Sequence, residues 1–203
     1  SNANYYVAGV TSPLSANITA APVTISGLTA ANKVYDTTRA ATLSGTSEIA
    51  GGLLGSDTAT LSGTATAGTF ASANAGNAIA VTANLSSLSL SNANYYVAGV
   101  TSPLSANITA APVTISGLTA ANKVYDTTTA ATLSGTPVIS GGLLGSDTAT
   151  LSGTATIGTF ASPNAASGIA VASNLSGLTI SNPNYYIADV ATGLTANITG
   201  KPV

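Results

Sequence analysis

Apolar and polar residues alternate with a period of two along much of this chain. In the segment 104–109, apolar side chains take every second position. In the segment 94–100, Tyr96 shares a face with the apolar residues that follow it, and Tyr95 falls on the opposite face. Because successive side chains of a β-strand point to opposite faces of a sheet, both segments are predicted strands. Nothing in the sequence has the period of a capped amphipathic helix.

Further strands and turns give an all-β prediction. Strand-like stretches are expected at 24–26, at 78–81 and, with an interruption, over 58–70. Turn signals rich in glycine, serine and asparagine occur at 51–52, 55–57 and 74–77. Short strands separated by such turns predict tandem, elongated, β-sandwich-like repeat domains of about 90 residues.

The repeat domains follow from an internal duplication with a period of 90 residues. Residues 1–38 recur unchanged at 91–128, and 51–66 recur at 141–156. A period of this length is that of a small domain, whereas solenoid repeats are much shorter. We expect the chain to belong to a longer array, divided as a closing segment of a preceding repeat, two full repeats and the start of a following one: 1–20, 21–110, 111–200 and 201–203.

The composition excludes several classes of function. Only 5% of the residues are charged, the net charge is −2, and His, Cys, Met and Trp are absent. Without these residues there is no imidazole base, thiol nucleophile, disulfide or thiolate metal site, so no enzyme, cofactor or metal is expected. The charge gives no basic patch for nucleic acid, and no apolar run is long enough to span a membrane. A nearly uncharged surface suits an exposed extracellular protein.

A short motif resembles a known family. The sequence Lys-Val-Tyr-Asp-Thr-Thr occurs at 33–38 and again at 123–128, followed each time by Gly-Gly-Leu-Leu-Gly-Ser-Asp and Asn-Tyr-Tyr. This order resembles the YDG repeat domain of large bacterial surface proteins of the filamentous-haemagglutinin and haemagglutination-adhesin type. The resemblance covers both repeats and implies a stalk or spacer unit of an exported adhesin, with no catalytic residues. The motif residues are Lys33, Tyr35, Asp36, Lys123, Tyr125 and Asp126.

One position departs from the family pattern. The usual glycine after the motif aspartate is Thr37 in the first repeat and Thr127 in the second. Since β-branched residues rarely adopt positive φ, we expect this turn to keep an ordinary backbone conformation.

Each of the few charged residues could have a structural role in a turn or take part in a chemical site. Lys33 and Asp36 are expected to form a local ion pair beside a turn, and the alternative is an intramolecular amide between Lys33 and an Asn or Asp. Asp57 and Asp147 lie in identical loops, where a turn or strand-start cap is favoured over calcium binding, because calcium requires several oxygen ligands.

Other side chains could serve recognition. Glycosylation sequons begin at Asn17, Asn84, Asn107, Asn174 and Asn197. The aromatic side chains expected in the core of the first repeat are Tyr35, Phe70, Tyr95 and Tyr96. Only one tyrosine of each adjacent pair can be exposed, and the candidates for an exposed aromatic contact are Tyr95 and Tyr185.

The sequence therefore favours non-enzymatic spacer repeats of a secreted adhesin at the bacterial cell surface, which project a distal binding region. The alternative is a binding module in which each repeat carries a weak glycan or protein site and repetition supplies avidity. The expected partners are neighbouring repeats of the same chain, and host or surface glycans or proteins bound through other regions.

Overall fold

A computed structural model describes residues 3–6, 8–9 and 12–203, and this part of the chain contains strands and no helix. The all-β prediction is confirmed. In the described residues no helix is long and apolar enough to cross a membrane. The predicted closing segment 1–20 lies partly outside the described residues. The strands are β1 (Ala21–Ser26), β2 (Thr29–Ala30), β3 (Lys33–Val34), β4 (Ala40–Ser44), β5 (Glu48–Gly51), β6 (Leu61–Ser62), β7 (Ala67–Phe70), β8 (Gly76–Ala83), β9 (Ser89–Leu90), β10 (Tyr95–Val100), β11 (Leu104–Thr109), β12 (Ala111–Ala120), β13 (Lys123–Val124), β14 (Ala130–Gly141), β15 (Leu151–Gly153), β16 (Ile157–Phe160), β17 (Ala166–Ser173), β18 (Leu178–Ile180), β19 (Tyr185–Val190) and β20 (Leu194–Thr199).

The chain divides into two compact units built from separate segments. Unit 1 comprises Ser1–Leu28, Gly45–Ala65 and Leu85–Ser102. It holds a three-stranded sheet with the order β10-β1-β5 and the β6-β9 pair. Strand β1 runs parallel to β10 and antiparallel to β5. Val23 and Ile25 on β1 are fully buried, and Tyr95 on β10 is buried as well.

Unit 2 comprises Thr29–Ser44, Thr66–Asn84 and Pro103–Val203, so it contains the whole second repeat and three segments of the first. The second repeat forms a seven-stranded sheet with the order β13-β20-β17-β16-β14-β12-β19. Strand β14 pairs with β16 over its first residues and with β12 over the rest, which lets one strand serve two parts of a curled sheet. The first-repeat segments form a six-stranded sheet with the order β2-β4-β7-β8-β11-β3.

The core of the second repeat consists of aliphatic side chains around one phenylalanine. Phe160 is 2% exposed, and its buried neighbours include Ile115, Leu133 and Ile198. The first-repeat segments in unit 2 repeat this arrangement around Phe70, which is fully buried.

Alternation predicted some faces correctly and others wrongly. In β11, Ala106 and Ile108 are buried between exposed or half-buried polar residues, as expected. In β10 the prediction that Tyr96 is a core residue is wrong, because Tyr95 is 6% exposed and Tyr96 is 52% exposed. The expected turn over 74–77 is partly wrong as well, because β8 already begins at Gly76.

Candidate functional site: the tyrosine junction between the repeats

The Lys-x-Tyr-Asp motif forms a compact polar cluster. Lys33 Nζ donates to Asp36 Oδ1 at 2.7 Å and to the carbonyl oxygen of Thr38 at 2.8 Å. The backbone amide and hydroxyl of Thr38 both donate to Asp36 Oδ1 at 2.9 Å. The ammonium group also lies 5.5 Å from the centre of the buried Phe70 ring, within the range of a cation–π interaction. The predicted ion pair and aspartate turn are therefore confirmed in the first repeat.

The second repeat reproduces this cluster. Lys123 Nζ donates to Asp126 Oδ1 at 2.8 Å and lies 5.4 Å from the centre of the Phe160 ring. The Lys123 hydrogen bond and those from Thr128 lower the pKa of Asp126 to about 2 from the ordinary 3.8. Asp126 therefore stabilises the fold fully above pH 3.8, and this contribution is lost as the pH falls towards 2.

The pKa of Asp36 is lowered too. Burial acts to raise it, but the hydrogen bonds from Lys33 and Thr38 outweigh that effect. The amide alternative requires a carboxamide in contact with the amine. In the described residues, the groups bonded to Lys33 Nζ are the Asp36 carboxylate and two oxygens of Thr38.

The predicted ordinary backbone conformation at Thr37 and Thr127, where the family pattern has glycine, is wrong. Thr37 has a φ of 68° and Thr127 a φ of 69°, which is the left-handed region that favours glycine. The hydrogen bonds from Thr38 to Asp36 and from Lys33 to the Thr38 carbonyl fix the residues on both sides of Thr37. This network holds a β-branched residue in a conformation that costs about 1–2 kcal/mol.

The motif also positions Tyr35. Its backbone amide donates to the Thr109 carbonyl at 2.8 Å, next to the parallel pairing of β3 with β11. Its side chain leaves the first repeat and enters the second, where the hydroxyl donates to Asp147 Oδ2 at 2.7 Å. The Tyr35 ring meets the Tyr185 ring edge to face, with centroids 5.4 Å apart and an interplanar angle of 80°. Tyr35 is 7% exposed, so this contact buries it.

An asparagine pair completes the contact between the repeats. Asn184 Oδ1 accepts from the backbone amide of Ala75 at 2.8 Å, and its Nδ2 donates to Asn74 Oδ1 at 3.2 Å. Asn184 is 9% exposed, and among the described residues it is the one polar residue that is buried. Because both ends of its carboxamide are bonded, its burial carries no unsatisfied polar group. We call Tyr35, Asn74, Ala75, Asp147, Asn184 and Tyr185, all in unit 2, the tyrosine junction.

Asp147 is the one charged residue of the junction. Its Oδ2 accepts from the hydroxyls of both Tyr35 and Tyr185 at 2.7 Å, and Tyr185 Oη in turn accepts from the Leu144 amide at 3.0 Å. The hydrogen bonds from Tyr185 and Tyr35 lower the pKa of Asp147. The hydrogen bond to Asp147, together with burial, raises the pKa of Tyr35 to about 12. For Tyr185, burial is the larger cause of a raised pKa and the bond to Asp147 the second.

Asp57, in unit 1, is the residue of the first repeat that corresponds to Asp147. The Tyr95 hydroxyl donates to Asp57 Oδ2 at 2.7 Å and accepts from the Leu54 amide at 3.1 Å. The Asp57 amide donates to the Leu54 carbonyl at 3.0 Å, which confirms the predicted turn. The prediction missed that the carboxylate receives a tyrosine hydroxyl. Among the described residues no group of three or more potential ligand side chains could hold a metal ion.

The predicted exposure of Tyr95 and Tyr185 is wrong. They are 6% and 3% exposed, and the accessible members of the pairs are Tyr96 at 52% and Tyr186 at 50%. Tyr95 and Tyr185 face inwards because each hydroxyl donates to an aspartate and accepts from a backbone amide.

The sequon asparagines are in different environments. Asn107 and Asn197 use their Oδ1 atoms to accept from the backbone amides of Ala78 and Gly168, beside the irregular pairing of β8 and β17. Asn174 Oδ1 accepts from the backbone and hydroxyl of Ser176. Asn17 and Asn84 are exposed. Glycosylation at these positions stays a prediction.

The comparison with protein families matches the YDG domain twice, over residues 19–102 and 109–193. The chain therefore belongs to the YDG domain family, as two tandem copies. No curated protein and no solved structure matches the chain significantly. The domain limits predicted at 21–110 and 111–200 stay a prediction.

Proposed function

We propose that these repeats are non-enzymatic spacers of a secreted bacterial surface adhesin and project a distal binding region from the cell. The observation that carries this proposal is the tyrosine junction. A spacer needs a fixed geometry between successive units. Here a side chain of one repeat is buried in the next, and its hydroxyl is 2.7 Å from a carboxylate.

The composition supports an exposed location. The chain has no Cys, and 5% of its residues are charged. Surface hydration then depends on Ser, Thr and Asn, and it is insensitive to the salt concentration because there is little charge to screen.

The experiment is to measure the length of arrays with different numbers of repeats. Arrays of two, four and six copies of residues 111–200 would be purified and their contour lengths measured by rotary-shadowing electron microscopy. The spacer proposal predicts a constant increment per repeat and a narrow length distribution. The same arrays with Tyr125→Phe, which removes each junction hydroxyl, should bend more. Collapsed particles whose dimensions do not grow linearly with copy number would contradict the proposal.

A second candidate function is weak multivalent binding. The observation in its favour is that Tyr96 and Tyr186 occupy the same exposed position in both repeats, at 52% and 50% exposure, and exposed tyrosines are common in recognition surfaces. A glycan array probed with the six-copy array, with a Tyr→Ala variant at both positions as control, tests this function. Binding that rises with copy number and is lost in the variant would support it. Failure to bind any glycan would exclude a glycan site at these tyrosines.

A further inference from the structure

The second repeat begins and ends with two stretches of chain that run in the same direction and pair with each other twice. Strand β12 pairs in parallel with β19, with Ala111 opposite Tyr185. Farther along both stretches, β13 pairs in parallel with β20. The stretch 111–124 is therefore paired with the stretch 185–199 near both of its ends, and we call these two stretches the first segment and the last segment.

The chain enters and leaves the repeat at opposite ends of this arrangement. The first segment starts with β12, a strand of ten residues whose ends are about 30 Å apart. Strand β13 follows the far end of β12, and there Val124 lies opposite Thr199, the last residue of β20. Tension along the chain therefore pulls the first segment backwards and the last segment forwards, so that the two must slide past each other.

Hydrogen bonds join the two segments at both ends. At the entry, the Ala111 amide donates to the Asn184 carbonyl at 2.8 Å, just before the ladder between β12 and β19. At the exit, the Tyr125 amide donates to the Thr199 carbonyl at 2.8 Å, just after the ladder between β13 and β20. Sliding therefore breaks the bonds at the entry and at the exit in the same movement.

Side chains oppose the same movement. Asn122 Oδ1 accepts from the backbone amide of Asn197 at 2.7 Å, which links the two segments between their ladders. Val113 and Ile115 of the first segment are fully buried, and Ile198 of the last segment is 2% exposed. Sliding would pull these side chains out of the sites into which they pack, at the cost of their buried contacts.

We propose that the second repeat is a mechanical clamp that resists tension along the chain, because its first and last segments are loaded in shear. When force acts along two paired strands, all the bonds of the ladder share the force and break together. When force acts across the strands at one end, each bond carries the whole force in turn and the ladder opens stepwise. This property depends on the pairing inside one repeat and is independent of whether the repeats act as spacers.

Single-molecule force spectroscopy with two pulling directions tests the proposal. Since the chain has no Cys, introduced cysteines define the points of attachment. Pro112→Cys with Lys201→Cys pulls along the two segments, and Pro112→Cys with Pro183→Cys pulls the beginnings of β12 and β19 apart. All three positions are exposed. Complete unfolding should lengthen the molecule by about 25 nm in either direction, which identifies the event.

The unfolding force should depend on direction, because forced unfolding follows the barrier met along the direction of pulling. The mean force along the segments should be at least about twice the force across them at the same pulling speed. Asn122→Ala removes the side-chain link far from the end that is pulled apart. It should lower the force along the segments by at least about a tenth and leave the force across them unchanged.

The matched control is Ser152→Ala. It deletes an exposed hydrogen bond to Thr179 between β15 and β18, outside both segments, and should change neither force. A force along the segments that is no higher than the force across them would overturn the proposal. Equal losses of force in Asn122→Ala and Ser152→Ala would overturn it too, because the link between the segments would then carry no particular share of the tension.

Discussion

Removal of the Tyr35 hydroxyl measures how much the junction contributes to the stability of the fold. The Tyr35→Phe substitution keeps the ring against Tyr185 and deletes the 2.7 Å hydrogen bond to Asp147. A hydrogen bond to a charged group contributes about 1.5–3 kcal/mol net. Asp147 is half-buried and keeps its bond from Tyr185, so no buried charge is left unpaired. The expected loss is therefore at the lower end of that range, about 1.5–2 kcal/mol.

The matched control is Tyr125→Phe. It makes the same chemical change in the same motif, but the Tyr125 hydroxyl bonds no described residue. Its effect should stay within about 0.5 kcal/mol. Urea denaturation followed by circular dichroism gives both free energies of unfolding, and the melting temperature should fall by about 3–6 °C for Tyr35→Phe alone. Equal effects of the two substitutions, or a loss below about 0.3 kcal/mol for Tyr35→Phe, would refute the reasoning.

Three further predictions concern the backbone, the pH and the packing. Thr37→Gly should stabilise the chain by about 0.5–1 kcal/mol, because glycine removes the strain of the positive φ and this gain exceeds the added conformational entropy of the unfolded chain. Denaturant midpoints measure this change, and a loss of stability would show that the contacts of the Thr37 side chain contribute more than the strain costs. The pKa of Tyr35 is about 12, against the ordinary 10.0, so the stability advantage of the wild type over Tyr35→Phe is full below pH 10 and disappears as the pH rises from 10 to about 12. Because the chain has no Trp, the difference in 295 nm absorbance between the two proteins follows the ionisation of Tyr35. A midpoint of this difference near pH 10 would contradict the hydrogen bond to Asp147. Gly68→Ala should cost about 1–3 kcal/mol, because its Cβ would lie 2.8 Å from the Thr82 carbonyl oxygen, whereas Gly99→Ala, with open space around it, is the control and should cost less than about 0.5 kcal/mol.

The fold class was predictable because it depends on local patterns. The alternation over Leu104–Thr109 is the observed strand β11, with Ala106 and Ile108 inside. The ion pair between Lys33 and Asp36 was predictable too, because the two residues are three positions apart.

The junction was not predictable from local patterns because its partners are far apart in sequence. Tyr35 and Asp147 are separated by 112 positions, and Asn74 and Asn184 by 110. One signal was present: Asp147 and Asp57 are among the few charges and lie in blocks repeated letter for letter. A lone carboxylate retained in such a block suggests a specific partner.

Polar contacts also explain the two clear errors. The alternation over 94–100 is ambiguous, since both faces carry a tyrosine, and the hydrogen bonds of Tyr95 decide which one is buried. At Thr37 the general preference against positive φ is overridden by the bonds among Lys33, Asp36 and Thr38.

The central claim is that the tyrosine junction fixes one repeat to the next. The most direct test is ¹⁵N relaxation of backbone amides in β8, which belongs to the first repeat, and in β17, which belongs to the second. A fixed junction predicts that one rotational diffusion tensor fits both strands, and that separate tensors are needed after Tyr35→Phe combined with Asn184→Ala. If the wild-type strands already require separate tensors, each with the shorter correlation time of a single repeat, the junction does not hold the repeats together.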